Sequence, residues 1–341
     1  VGVMGNFGFI YDNKNVNSQF TNSTINAYKG IDLYSNAGGN TSLEMTQGSV
    51  GGFDYSGAFS YIFMNNNTSV GIAGSNLTNK TNNVNIVATD KTSGNTNAKG
   101  FQFGNGAVGT IFSKVNNTSN TNTTVGKTKI DNGSSTTASN TISISATKNN
   151  KLVAEAYAGT GGALSVSVIS PVTKDYGKSI VTLASGNVFS AKALDVYATN
   201  MPTLVCFMKA GSGGEVTIGV GDVSAYQYGS SNLTVNDGSK YNVGDVNYVA
   251  NIISEATQES QAYTVGLVDI KVNRVDSIAS QTVNVNVDFA KNNYLDNTIL
   301  NVRGENRTKS KISVEGVGVG AVLSVCNNKA EANNDLVTNV N

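Results

Sequence analysis

The 341-residue sequence has no histidine and no tryptophan, and only two prolines and two cysteines. Without histidine the commonest general base is missing, along with the catalytic triads built on it. Most zinc sites go as well, since Cys206 and Cys326 are too far apart in sequence to form a ligand set alone. These cysteines occupy different places in the repeat described below, so no disulfide framework is expected. Cys206 alternates with Leu204 and Met208, which reads as a small buried apolar residue. Pro171 and Pro202 leave regular hydrogen bonding almost uninterrupted. Charged residues make up 13% of the chain, about half the usual share.

The charges that exist balance, 23 basic against 23 acidic, with a sequence pI near 6.5 and no block of one sign. That removes the electrostatic footprint of nucleic-acid binding. No apolar run approaches the roughly 20 residues of a membrane-spanning helix. Val1 is not an initiator Met and no basic-then-apolar leader follows it, so the chain reads as an excerpt or processed piece of a longer protein.

What fills the sequence is Gly (37 residues), Asn, Ser, Thr and Val. These replace helix formers with β-branched and turn-forming residues, which predicts an all-β chain. A repeat organises it. Val84–Thr89 (VNIVAT), Ile142–Thr147 (ISISAT) and Leu194–Thr199 (LDVYAT) are related, with weaker copies at Ile31–Asn36, Val246–Asn251 and Leu300–Glu305. The anchors Ile31, Val84, Ile142, Leu194, Val246 and Leu300 recur at nearly constant spacing, with one longer interval between Val84 and Ile142. A second alternating pair follows each anchor at an almost fixed offset, at Phe53/Tyr55, Val108/Thr110, Leu164/Val166, Val216/Ile218, Val268/Ile270 and Leu323/Val325. Just before it stand Gly51-Gly52, Gly161-Gly162 and Gly213-Gly214, with Gly318 and Gly320 in the last unit.

Further stations bring the number to six per repeat, which predicts two triangular coils of about 26 residues in each. Alternation puts one face of each strand inward, and stacked coils bury a continuous apolar column. The expected fold is therefore a right-handed parallel β-helix, a β-solenoid with repeats of roughly 52 residues. It forms one continuous domain over 1–341: residues 1–30 end a preceding repeat, and new repeats start near 31, 84, 142, 194, 246 and 300. About 13 coils at ~4.8 Å each would make a rod on the order of 60 Å long. A sandwich of β-hairpins also alternates, but has no reason to keep a Gly pair at the same offset past the anchor in unit after unit. All six anchors should point inward along one column, with Leu33, Ile86, Ile144, Val196 and Val302 forming a second. The polar run Asn116–Asn140 should leave the coil as a loop insertion (116–140).

No catalytic, cofactor-binding or metal-binding residue stands out. The calcium-binding Gly-Gly-x-Gly-x-Asp frame is absent. Asp54, Glu155, Asp195, Glu215 and Asp222 are the carboxylates able to meet on an outer surface as a glycosidase or lyase pair, but their rows hold mostly uncharged neighbours. The expectation is a non-enzymatic protein without cofactor.

The VNIVAT, ISISAT and LDVYAT segments, with Ala-Gly-x-Gly-Gly following two of them (Ala158–Gly162, Ala210–Gly214), resemble the leukotoxin-family filamentous adhesins. These are fusobacterial-leukotoxin-like large exoproteins, related in general to the filamentous-haemagglutinin-like proteins. The resemblance covers most of residues 31–341 and is one of period and composition. It implies a secreted or cell-surface toxin or adhesin of a Gram-negative bacterium, exported through an outer-membrane transporter by two-partner secretion. Its partner would be a host cell-surface protein or glycan. Two alternatives stay open: a spacer rod of an autotransporter passenger, and a carbohydrate-active β-helix enzyme.

Overall fold

A computed structural model describes residues 2–133 and 140–341. Its regular elements are all strands, as the β-branched composition predicts. They are β1 (Gly2–Asp12), β2 (Asn15–Thr21), β3 (Thr24–Ala27), β4 (Ile31–Met64), β5 (Asn67–Ala73), β6 (Asn76–Asn79), β7 (Val84–Asn117), β8 (Asn120–Gly126) and β9 (Lys129–Asp131). The second half holds β10 (Thr141–Lys148), β11 (Lys151–Asp175), β12 (Lys178–Leu183), β13 (Val188–Asn200), β14 (Thr203–Gln227), β15 (Ser230–Val235), β16 (Lys240–Val287), β17 (Asn293–Tyr294) and β18 (Ile299–Val340). All belong to one sheet, and their pairings are parallel.

The register is set by the repeat. Ile31 pairs with Val84, Val84 with Ile142, Ile142 with Leu194, Leu194 with Val246, and Val246 with Leu300. The first five anchors are buried, while Leu300, on the last unit, is exposed. The second expected row runs Leu33, Ile86, Ile144, Val196, Tyr248, Val302, with Tyr248 completing it. Alternation dictates both columns, because one slipped residue would turn every apolar side chain to the wrong face.

Two expectations need correction. Two coils per repeat would pair each residue with one half a repeat away. The partners instead lie a whole unit away, Gly2 with Asp54 and Thr203 with Glu255. The chain thus holds between six and seven stacked units, so the height is on the order of 30 Å at ~4.8 Å per step, about half that expected. The second correction concerns 116–140. Asn116 and Asn117 end β7, and β8 and β9 pair in register with the units on either side. Thr121, Thr123 and Ile130 point inward and are buried. Composition misled here because an inward threonine is satisfied once its hydroxyl finds an acceptor, as Thr123 does on the Ser145 carbonyl at 2.7 Å. Thr78 pairs with Asp131 and Val84 with Ile142, and the second pairing spans more chain than the first. The surplus therefore enters between Asp131 and Ile142; residues 134–139 of the expected insertion lie outside the described residues.

Each unit encloses two separate cores. The first is walled on three sides, in one unit by Ile142/Ile144, Val181/Leu183 and Phe189/Ala191. The second lies between two walls, as Leu152/Ala154/Ala156 and Ile169 show. A polar waist divides them. There Lys148 meets Asp175, Asn150 donates to Asp90 (3.3 Å), and Asn66 donates to Thr92 (3.1 Å). Inward apolar stripes of unequal phase on one long strand therefore fill two compartments rather than two coils.

One corner of the first compartment needs left-handed backbone in successive units. Asn22, Gly74, Lys127, Gly186 and Gly238 adopt φ values of 50, 61, 49, 80 and 76°. Glycine takes that region without strain, while asparagine and lysine take it at a cost. Just beyond it the backbone N–H groups of Ser23, Thr128, Asn187 and Ser239 donate to Ser75, Asn187, Ser239 and Asn292 of the next unit. These side chains replace ladder bonds where the strands break.

Candidate interaction surface

The second alternating pair stacks in rows but faces outward; in the second unit the register puts Gly106/Val108 at this station rather than Val108/Thr110, because Thr110 pairs with Gly57 and Val168. Tyr55, Val108, Val166, Ile218, Ile270 and Val325 form one row. Phe53, Gly106, Leu164, Val216, Val268 and Leu323 form the next. Their inward neighbours are small or polar: Ala107, Ser165, Thr217 and Asp269 are fully buried. Inside the wall Thr217 donates to Asp269 at 2.9 Å, and Ser324 donates to its other carboxylate oxygen at 3.2 Å.

Backbone crowding explains this inversion. The two walls of the second compartment converge on a corner of stacked glycines. A Cβ on Gly104 would strike the carbonyl oxygen of Gly51, one on Gly162 that of Gly104, and one on Gly214 that of Gly162. Beside so tight a corner only short side chains fit within, so the large apolar ones stand outside. Phe53, Phe103 and Val265 are 61, 51 and 59% exposed. On the other side of the corner Phe101 and Phe103 pair with Gly159 and Gly161, and Gly211 and Gly213 follow before Tyr263 and Val265. Aromatic and aliphatic side chains thus flank a shallow glycine floor. Two depressions mark this rim. One of about 180 Å³ is lined by Phe53, Asp54, Tyr55, Gly106, Val108 and Leu164. The other, of about 250 Å³, is lined chiefly by Phe101, Tyr157, Lys209 and Tyr263. A contiguous exposed apolar strip is the kind of surface that marks an interaction site.

The five carboxylates considered for catalysis do not converge. Asp54 is buried under the rim, Glu155 accepts from Asn97 and Tyr157, Asp195 accepts from Asn247 at 2.7 Å, Asp222 accepts from Ser224, and Glu215 stands exposed. Among the described residues no three His, Cys, Asp or Glu side chains gather as metal ligands. Cys206 is buried as expected, its thiol beside Thr173 Oγ1 (3.0 Å) and donating to the Ser224 carbonyl (3.1 Å), while Cys326 is exposed. Burial pushes the Cys206 thiol up to about 12, a rise that the Thr173 hydrogen bond opposes. No described helix is long and apolar enough to cross a membrane.

Apolar alternation alone does not say which face of this station turns outward. The available signal was the polar phase of that station (Ser165, Thr217, Asp269) directly after a glycine pair. No family model, curated protein or solved structure matches the chain.

Proposed function

We propose that the chain is part of a right-handed parallel β-helix with one coil per repeat, and that it binds a host cell surface without catalysis. On this reading it is a segment of a leukotoxin-like adhesin or toxin, secreted by or displayed on a Gram-negative bacterium after passage through an outer-membrane transporter. Its partner is a host surface protein or glycan. The carrying observation is the exposed apolar rim stacked over several units around Phe53, Phe103 and Val265. Burying such a strip against a partner is favourable at roughly 25 cal/mol per Å² of apolar surface. Contact shared by stacked units, repeated along a longer filament, raises avidity without new contacts. The dispersed carboxylates support the non-catalytic reading.

The test is binding of the purified chain to leukocytes and epithelial cells beside a Phe53→Ser/Phe103→Ser variant. Both side chains point outward, so the variant should keep the unfolding midpoint and lose most binding. Equal binding by the two proteins would remove the rim from the account. Release of reducing sugar from any polysaccharide would overturn the non-enzymatic reading.

A spacer has one observation in its favour. Asn284 donates to Asn232 at 2.8 Å and Asn339 donates to Asn284 at 2.9 Å, an outward-facing asparagine ladder, half-buried at Asn232 and Asn284, suited to a solvated shaft. Failure of the chain to bind any cell would make that the better account.

A further inference from the structure

The waist between the two cores leaves a crease on the outside of the stack, where the chain turns from the second compartment into the first. Residues lining it come from successive units. Asn116, Thr118 and Asn120 lie on one level, Tyr176 and Lys178 on the next, and Tyr228 on the level beyond, around a groove of about 550 Å³. Tyr176 and Tyr228 have ring centroids 5.1 Å apart, and Tyr226 extends the cluster 5.9 Å from Tyr228.

Beside the groove, in two adjacent rows, a lysine stands against a tyrosine of a neighbouring unit. Lys114 Nζ lies 5.1 Å from the Tyr61 ring in the unit before it, and Lys174 Nζ lies 4.6 Å from the Tyr226 ring in the unit after it. Among the described residues neither lysine, nor Lys178, forms an ion pair with a carboxylate. Burial, and after it the charge of Lys174, holds the Lys114 pKa below its ordinary value. Two like charges on neighbouring levels, each half-buried on a tyrosine, are thus left without an anion.

We propose that this groove binds an acidic oligosaccharide, with Tyr176 and Tyr228 against the C–H faces of its rings and Lys114, Lys174 and Lys178 toward its carboxylate or sulfate groups. The inference rests on the cell-binding reading and gives it a ligand class. Three features select a sugar over a peptide or a lipid. The walls combine flat aromatic faces with amide and hydroxyl groups at fixed height, matching a ring that is apolar on its face and polar around its edge. The step from unit to unit, about 4.8 Å, is close to the advance of one pyranose along a chain. And the lining has neither the long apolar strip that a lipid needs nor the free strand edge that an added peptide strand needs. The surplus positive charge then favours an acidic glycan over a neutral one.

Isothermal titration with heparin hexasaccharide, hyaluronan hexasaccharide and cellohexaose tests the proposal and separates sulfate from carboxylate. At least one acidic hexasaccharide should bind, and cellohexaose should bind at least about tenfold more weakly. Tyr176→Ala/Tyr228→Ala and Lys114→Gln/Lys174→Gln should each cost about tenfold or more in Kd. Lys178→Gln, at an exposed position, provides a mild variant if either double substitution lowers the unfolding midpoint, and should weaken binding severalfold. Unchanged affinity in all three variants, equal affinity for cellohexaose, or no binding of either acidic sugar would overturn the proposal. Phe53→Ser/Phe103→Ser, titrated in parallel, should bind the sugar normally. A wild-type chain that binds cells but no sugar sinks the groove alone; one that binds sugar but no cell removes the cell-binding reading and leaves the groove as a sugar site.

Discussion

Lys148 Nζ lies 3.3 Å from Asp175 Oδ1 with neither side chain exposed to solvent, and Asn117 Nδ2 donates to the same oxygen at 2.5 Å. The pair sits in the waist between two apolar cores, where a charge left alone has no water to solvate it. Lys148→Met should therefore destabilise by about 3–5 kcal/mol. Lys148→Met/Asp175→Leu should recover much of that loss, because no charge then remains. Denaturant midpoints of the single and double variants measure the difference. A single variant as stable as wild type would show that the waist admits water.

The glycine corner gives a matched comparison. Gly162→Ala drives a methyl group into the Gly104 carbonyl, whereas Gly211 has open space where a Cβ would go. Gly162→Ala should lower the thermal midpoint clearly, and Gly211→Ala should stay within about 0.5 kcal/mol of wild type. Equal effects would mean that the walls relax apart.

Tyrosines give the fold a basic limit. Tyr241 stacks on Phe189 and Tyr294, and Tyr248 Oη lies 3.3 Å from Tyr294 Oη. Burial raises the phenol pKa of all three, most of all at Tyr248 and Tyr294; at Tyr248 the charges of the other two add to it. The folded state therefore keeps protons that the unfolded chain releases near its ordinary pKa of about 10. Their contribution is complete below that pH and falls as pH rises above it. Unfolding midpoints taken from about pH 8 to pH 11 should decline past pH 10, with a shallower slope in Tyr248→Phe. A flat profile would place these phenols in contact with water.

The two thiols should separate cleanly. Alkylation with iodoacetamide at neutral pH should modify Cys326 in the folded protein and spare Cys206, which burial keeps protonated and out of reach. Denaturant should expose both. Peptide mapping that finds Cys206 alkylated under native conditions would contradict the closed second core.

The column from Ile31 to Leu300 was legible because alternation and spacing are properties of the chain itself. How often the chain turns in one repeat was not. Six strand stations fit two triangles or one two-chambered unit, and the choice depends on the polar waist at Lys148 and Asp175, far apart in sequence. The polarity of Asn116–Asn140 predicts a loop, yet within it Thr121 and Thr123 face inward at strand spacing. The rim at Phe53 and Leu164 was placed by the period but not by its side. Its direction follows from the clearance at Gly104 and Gly162, which exists only once units stack.

The one-repeat register also sets the kinetics of assembly. Each pairing closes a loop of one repeat, and loop-closure entropy grows only as the logarithm of that span, about 0.6 kcal/mol per doubling. The span stays the same however many repeats a filament contains, so relative contact order falls as the chain lengthens. A completed turn presents a ready edge for the next, and a polypeptide delivered from one end folds by a constant, local increment.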